Sequence, residues 1–103
     1  MSDAMSDPGP TAPDRHSRLE ALLRAAFRPS ALFIEDDSAR HAGHAGAAPG
    51  GETHFTIRMV SEDFVSLSRI ARSRAVHTVV GPEFQTGLHA LVLILRSPDE
   101  ILE

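Results

Sequence analysis

The sequence predicts a single α+β domain. Three observations support this: apolar residues recur at helical spacing in residues 19–27, apolar and polar residues alternate in residues 54–60, and a short apolar run fills residues 90–95. The chain has 103 residues, which is enough for one domain with a modest core. The predicted order of elements is α, β, β, α, short α, β.

The first helix is predicted to begin near Asp14, which suits the N-cap position. The segment that follows places apolar residues at i, i+3, i+4, i+7 and i+8, namely Leu19, Leu22, Leu23, Ala26 and Phe27. Ser17 and Glu20 have the spacing of a capping box and offer an alternative start. Pro29 disfavours the α conformation of the residue before it, so we expect the helix to end there.

Two strands follow, joined by a loop rich in histidine and glycine. The first strand is predicted in "ALFIEDD". The second is predicted in "THFTIRMV", where Phe55, Ile57 and Met59 fall on one face. The intervening stretch "HAGHAGAAPGGETHF" holds three histidines and four glycines. We expect this loop to join the two strands as an antiparallel pair.

The second helix is predicted in "SEDFVSLSRIARSRAVHTVV", with Ser61 as its cap. Its expected core stripe consists of Leu67, Ile70, Ala71, Ala75 and Val79. Arg74 interrupts that stripe, and two interpretations stay open: it extends past the core edge to solvent, or it is presented to a partner. Pro82 is expected to end the helix and restart a short helical turn.

The last strand is predicted in "LHALVLILR". It is apolar on both faces apart from His89, which is typical of a strand well inside a sheet. The expected domain spans residues 14–98, between a disordered tail at 1–13 and a short C-terminal tail at 99–103.

Composition excludes several classes of function. There is no cysteine, so the chain alone cannot form a disulfide framework, a cysteine zinc site or a thiol nucleophile. The formal net charge of −4 is unfavourable for non-specific nucleic-acid binding. No pairing of nucleophile and base and no carboxylate dyad is visible, so we expect no enzyme. The start has no features of a targeting peptide and the longest apolar run is too short for a membrane span, so a cytoplasmic protein without membrane association is expected.

Three blocks of the sequence resemble the BolA family, over residues 15–98. They are "IEDDSARHAGHAGAAPGGETHFTIRMVS", "DFVSLSRIARSRAVH" and "GLHAL", and they occur in the family's order at compatible distances. The helical block departs from the usual Arg-His-Arg with Arg72, Ser73 and Arg74, and Pro82 replaces a helix-favouring residue. The resemblance implies a KH-like αββαβ domain, in which a mixed three-stranded sheet carries helices on one face.

The resemblance also implies a partner and a cofactor. BolA-like proteins pair with monothiol glutaredoxins, share a [2Fe–2S] cluster and act in iron–sulfur trafficking or iron regulation. The family's ligand positions correspond to His89 and to a histidine of the loop. His41 follows the "DDSAR" block directly and is favoured, while His44 is the alternative. A homodimer is the other assembly that the sequence leaves open.

The donor atoms of the chain agree with a shared cluster. Imidazole can replace thiolate at one iron of a [2Fe–2S] cluster. This chain offers imidazoles only, so a cysteine of the partner and a glutathione would supply the thiolates. Alone, His89 is better explained as a half-buried structural residue, and only the resemblance reverses that preference. For His54 we expect an ordering hydrogen bond and not ligation.

The alternative function is DNA-binding transcriptional regulation through the KH-like fold. Gly43 to Gly46 has the spacing of the nucleotide-clamping GXXG loop, but it lies between two strands and not between helices. The residues expected to form a local basic patch are Arg58, Arg69, Arg72 and Arg74. Any DNA binding of this acidic chain is expected to be weak.

Overall fold

The computed structural model describes residues 14–38 and 52–100. Its helices and strands are α1 (Arg15–Phe27), β1 (Ala31–Asp36), β2 (His54–Val60), α2 (Arg69–Phe84) and β3 (Ala90–Arg96), with short 3₁₀ helices at Glu62–Phe64 and Pro98–Glu100. The predicted α+β class is confirmed. The tail at 1–13 and the loop histidines His41 and His44 lie outside the described residues.

The three strands form one mixed sheet in the order β1-β2-β3. β1 is antiparallel to β2 and β3 is parallel to it, so that Ile57 of β2 pairs with Ile34 on one side and with Leu93 on the other. The central strand is therefore β2. The prediction that β3 lies well inside the sheet was wrong, because β3 pairs with β2 alone among the strands of residues 14–38 and 52–100.

The core occupies one face of the sheet. Phe55, Ile57 and Met59 of β2 are at most 1% exposed, and they share one buried cluster with Leu23 of α1 and Val76 of α2. Both helices therefore cover the same face, as expected. The side chains that alternate with these point to the other face, where Phe33 is 68% and Val92 is 56% exposed. The second apolar face of β3 therefore lies on this open surface of the sheet, and it does not indicate that β3 is a central strand.

The first helix agrees with its sequence signals. The Asp14 side chain accepts a hydrogen bond from the Ser17 backbone N–H at 2.9 Å, which makes Asp14 the N-cap. The helix ends at Phe27, and Arg28 then takes a left-handed conformation with φ of 45° before Pro29. The alternative start at Ser17 is not used.

The second helix begins later than predicted. Ser61 caps only the 3₁₀ helix, whereas Ser68 caps α2 by accepting from the Ala71 N–H at 3.1 Å. The buried face also differs from the predicted stripe: Ile70 is 65% exposed, whereas Leu67, Ala75 and Val79 are partly buried against the core. The residues of α2 that are buried instead are Arg72, Val76, Val80 and Glu83.

The expected break at Pro82 does not occur, because α2 continues through it to Phe84. A proline in the last turn removes one backbone donor but leaves the turn itself in place. Backbone hydrogen bonds from Gln85 to Pro82 and from Thr86 to Glu83 close the helix. Glu100, which lies in the expected C-terminal tail at 99–103, accepts a hydrogen bond from Arg72 of α2 at 2.6 Å.

Candidate functional site

His89 lies directly before β3, at the edge of the sheet where the parallel strands β2 and β3 both begin. Its side chain is exposed. The carbonyl of Thr53 accepts hydrogen bonds from the N–H of His89 at 2.8 Å and from that of Ala90 at 3.0 Å. The exposed imidazole is therefore attached to a fixed backbone position.

His54, the first residue of β2, lies beside His89. The centroids of the two imidazole rings are 5.3 Å apart and the rings are tilted by 47°. The expected ordering hydrogen bond is present, between His54 Nδ1 and Thr53 Oγ1 at 2.9 Å. Sequence reasoning did not anticipate the contact between the two histidines, because they are 35 positions apart.

Buried hydroxyl groups hold His54 in place. Ser38 Oγ accepts from the Thr53 N–H at 2.8 Å and from the His54 N–H at 3.2 Å. The Thr53 and Ser38 hydroxyl oxygens are hydrogen-bonded to each other at 3.1 Å, and Thr53 Oγ1 is in turn hydrogen-bonded to His54 Nδ1 at 2.9 Å.

Arg15 links the backbone segments that precede both histidines. Its guanidinium donates to the carbonyl of Glu52 at 2.7 Å and to that of Thr86 at 2.9 Å. It also donates to the Glu83 carboxylate at 2.7 Å, and the residue is only 6% exposed. Hydrogen bonds from Arg18 and Arg15 hold the pKa of Glu83 below its ordinary value, although burial raises it.

The ends of the histidine-rich loop meet at this same edge. Asp36 accepts from the Ser38 N–H at 2.8 Å and from the Glu52 N–H at 3.0 Å. Burial raises the pKa of Asp36, but these hydrogen bonds outweigh it and the pKa lies below its ordinary value. Segment 39–51, which carries His41 and His44, therefore leaves and re-enters the domain next to Thr53 and the histidine pair.

The four arginines of the predicted basic patch do not lie on one surface: Arg69 and Arg72 line the same groove, but Arg58 lies on the open face of the sheet. Arg72 is 4% exposed; its guanidinium donates to Glu100 at 2.6 Å and lies 5.7 Å from the ring centroid of Phe64. Arg58 is exposed on the open sheet face, whereas Arg69 and Arg74 are exposed on α2. Arg72 is thus a structural residue, and the sequence could not show this because its partner is 28 positions away.

A different basic feature lies between α2 and β3. Arg69, Arg72 and Arg96 line a small groove of about 120 Å³ together with Ser73. The sequence analysis did not include Arg96, which follows the apolar run and has no helical or motif signal.

Within residues 14–38 and 52–100, no group of three or more His, Cys, Asp or Glu side chains is arranged to hold a metal ion. The two histidines at the sheet edge are therefore an incomplete ligand set within the described part of the chain. In those same ranges, no helix is long and apolar enough to cross a membrane.

Two curated proteins illustrate the sequence similarity. The chain is 39% identical over 89 residues to "Protein BOLA1, chloroplastic" of Arabidopsis thaliana, covering 84% of this chain and 56% of that protein. It is 38% identical over 76 residues to "DNA-binding transcriptional regulator BolA" of Escherichia coli, covering 74% of this chain and 69% of that protein. The chain thus spans little more than half of the plant protein. The chloroplastic name belongs to that relative, and the cytoplasmic expectation for this chain stays a prediction.

Solved structures show the same architecture. BolA1 from Arabidopsis thaliana matches with a TM-score of 0.79 and 37% identity, covering 89% of this chain and 100% of that one. The BolA domain of SufE1 from the same plant matches with a TM-score of 0.78 and 35% identity, covering 88% of this chain and 100% of that one. The family model described as "BolA-like protein" matches residues 23–100. With its α1-β1-β2-α2-β3 order and mixed sheet, this chain belongs to the BolA family.

Proposed function

We propose that this protein pairs with a monothiol glutaredoxin and shares a [2Fe–2S] cluster with it, in iron–sulfur trafficking or iron regulation. Its role in the pair is to bind and not to catalyse. The observation that carries the proposal is the position of His89, whose exposed imidazole lies at the edge where segment 39–51 leaves and re-enters the domain. His89 and one of the two loop histidines, His41 or His44, are the proposed ligands.

The donor set of the chain fits half of such a cluster. Cluster iron accepts imidazole in place of thiolate, as in centres where two histidines replace two cysteines on one iron. The chain has six histidines and no cysteine. The glutaredoxin cysteine and its glutathione therefore supply the thiolates, and neither protein alone provides the full set.

The two proposed ligands have different mechanical properties. The backbone of His89 is fixed by its hydrogen bond to the Thr53 carbonyl at 2.8 Å. The loop ligand lies in a segment rich in glycine and alanine, whose composition imposes few steric restrictions on its backbone. A fixed first ligand sets the geometry, and a loop can adapt the second to a cluster that arrives on another protein.

The proposal is tested by anaerobic reconstitution with a monothiol glutaredoxin, glutathione, iron and sulfide, followed by visible absorption and circular dichroism spectra of the complex. We expect His89→Ala to remain folded, because an exposed residue before a strand contributes little core area. The variant complex should lose the spectral signature of mixed histidine and cysteine ligation. His77→Ala, which removes an exposed histidine of α2, is the matched control and should keep the wild-type spectrum.

Loop variants test the second ligand. His41→Ala and His44→Ala should each give a partial change if either histidine can serve, and the double variant should match His89→Ala. A wild-type spectrum for the double variant would exclude the loop as a source of ligands. Unfolding of His89→Ala would instead assign that residue a structural role.

A second candidate function is DNA binding, favoured by one observation: a relative that is 38% identical carries the name "DNA-binding transcriptional regulator BolA". In this chain the exposed cations of α2 are Arg69 and Arg74, and Arg96 lines the groove beside Arg69. Binding through these residues should be weak and should fall steeply with salt. In salt-dependent titrations, Arg69→Ala with Arg74→Ala should weaken it, whereas Arg58→Ala on the open sheet face should not.

A further inference from the structure

We propose that the groove between α2 and β3 binds one phosphate dianion, either inorganic phosphate or the end group of a small phosphate monoester. The proposed contacts are Arg69, Arg96 and Ser73, and Arg72 supplies a buried positive charge next to them. Arg96 ends β3, whereas His89 precedes it, so the groove is separate from the proposed cluster site. The site shares arginines with the second candidate function but assigns them a small ion and not a nucleic acid.

Two like charges meet at one backbone carbonyl in this groove. The carbonyl oxygen of Leu95 accepts from Nη1 of Arg72 at 3.3 Å and from Nη1 of Arg96 at 3.2 Å. The Glu100 carboxylate accepts from Arg72 at 2.6 and 3.0 Å and compensates that charge. Within residues 14–38 and 52–100, Arg96 forms no ion pair. An anion beside Arg96 therefore offsets a positive charge that the described part of the chain leaves uncompensated.

Arg69 adds a second uncompensated charge at the start of α2. Its side chain is exposed, and it too forms no ion pair with the residues that the structure describes. Arg69, Arg72 and Ser73 have i, i+3 and i+4 spacing, which places them on one face of the helix and agrees with their joint lining of the groove. The first turn of α2 contains no acidic residue, so the positive end of the helix dipole adds to these charges.

The carboxylates that follow β3 are already bound. Asp99 accepts from the Ser97 hydroxyl at 2.6 Å and Glu100 is held by Arg72, and neither carboxylate lines the groove. The three arginines of the groove and Glu100 together leave two positive charges, which match a dianion. Arginine suits phosphate because its planar donors bind two oxygens at once. Ser73 contributes a hydroxyl donor to the same groove.

The size of the groove and the charge of the chain favour a small ion. The groove volume of about 120 Å³ is well below the roughly 300–1,000 Å³ of pockets that hold drug-sized ligands. Leu93 and Leu95 form part of the wall, and apolar walls strengthen the local field of charged groups. The net charge of −4 repels a long polyanion, whereas salt screens a small ion in the groove from charges more than about 8 Å away. We therefore assign the groove to a single phosphate group.

The test is an NMR titration of the full-length, untagged protein at pH 7 and constant ionic strength, with sodium phosphate and separately with glycerol phosphate, a monoester that is mainly a dianion at this pH. We expect one saturable site that shifts the guanidinium Nε–H signals of Arg69 and Arg96 and the backbone amide of Ser73. Arg69→Gln and Arg96→Gln should each weaken binding at least fivefold. Arg58→Gln removes the same charge from the open sheet face and should change the affinity less than twofold. Circular dichroism confirms that each variant is folded.

The absence of saturable shifts in the wild-type protein would overturn the proposal. Equal weakening by Arg58→Gln and Arg69→Gln would also overturn it, because the net charge and not the groove would then attract the ion. Dimethyl phosphate, a phosphodiester with one charge, represents the nucleic-acid backbone. If it binds as tightly as glycerol phosphate, the site does not select a dianion, and DNA binding is favoured instead. Because the titration contains neither glutaredoxin nor iron, its outcome is independent of whether the chain shares a cluster.

Discussion

Arg72 is a buried cation whose contacts connect distant parts of the chain. Its guanidinium donates to the carbonyl of Leu67 at 3.0 Å and to the Glu100 carboxylate at 2.6 and 3.0 Å. These contacts hold the C-terminal 3₁₀ helix against α2. They raise the pKa of Arg72 and lower that of Glu100 to about 2. Arg72, which was predicted to belong to a nucleic-acid-binding patch, therefore stabilises the fold.

The lowered pKa of Glu100 predicts that the stability of the folded protein depends on pH in the acid range. Its pKa falls from 4.5 to about 2 in the folded protein, chiefly through the hydrogen bonds from Arg72. The folded state thus binds fewer protons than the unfolded state, so stability is lost as the pH falls from 4.5 toward 2. Glu100→Gln should lower the free energy of unfolding at pH 7. The difference in this free energy between the variant and the wild-type protein should become smaller as the pH falls from 4.5 toward 2.

Urea unfolding at pH 7, 4.5 and 3 measures this difference. Glu62→Gln, which removes an exposed carboxylate of the other 3₁₀ helix, is the control and should leave the pH profile unchanged. A difference between Glu100→Gln and wild type that stays constant from pH 7 to pH 3 would contradict the assigned ion pair.

At the scale of elements, one buried carboxylate joins the two helices. Glu83 of α2 receives Arg15 at 2.7 Å and Arg18 at 2.9 Å, both from α1, and its side chain is 7% exposed. Glu20 and Arg24 form a pair of similar length within α1, but their side chains are 41% and 52% exposed. The two carboxylates therefore allow a matched comparison of a buried ion pair with an exposed one.

Glu83→Gln should destabilise the protein by about 3 kcal/mol, because it leaves a buried arginine without its countercharge. Glu20→Gln should cost less than about 0.5 kcal/mol, as is usual for an exposed pair one helical turn apart. Chemical unfolding of both variants at pH 7 measures the contrast. Equal losses in the two variants would show that the Glu83 cluster does not stabilise the junction of the helices.

At the scale of the whole molecule, the described part places His89 at one edge of the sheet and exposes apolar side chains such as Phe33 and Val92 on the open sheet face. Because the chain contains no cysteine, we expect the isolated protein not to hold an iron–sulfur cluster. Anaerobic reconstitution without glutaredoxin, followed by gel filtration and iron analysis, measures this. A stoichiometric [2Fe–2S] species that survives gel filtration would overturn the prediction and with it the need for a partner.

Local sequence signals determined much of this architecture. The α+β class, the Asp14 cap, the end of α1 before Pro29 and the buried face of β2 were all predicted correctly. Each depends on periodicity or on interactions between residues a few positions apart, which a linear pattern contains. The sequence alone also shows that the chain offers six histidines and no cysteine, whereas the assignment of His89 as a ligand stays a prediction.

Only the tertiary structure decided the features that depend on distant partners. The position of β3 followed from its pairing with β2 alone among the described strands, and these two strands are far apart in the sequence. The burial of Arg72 required Glu100, 28 positions away. The contact between His54 and His89 arose because β2 and β3 begin side by side as parallel strands. Composition supplied the imidazoles, and the parallel pairing of two strands brought two of them together.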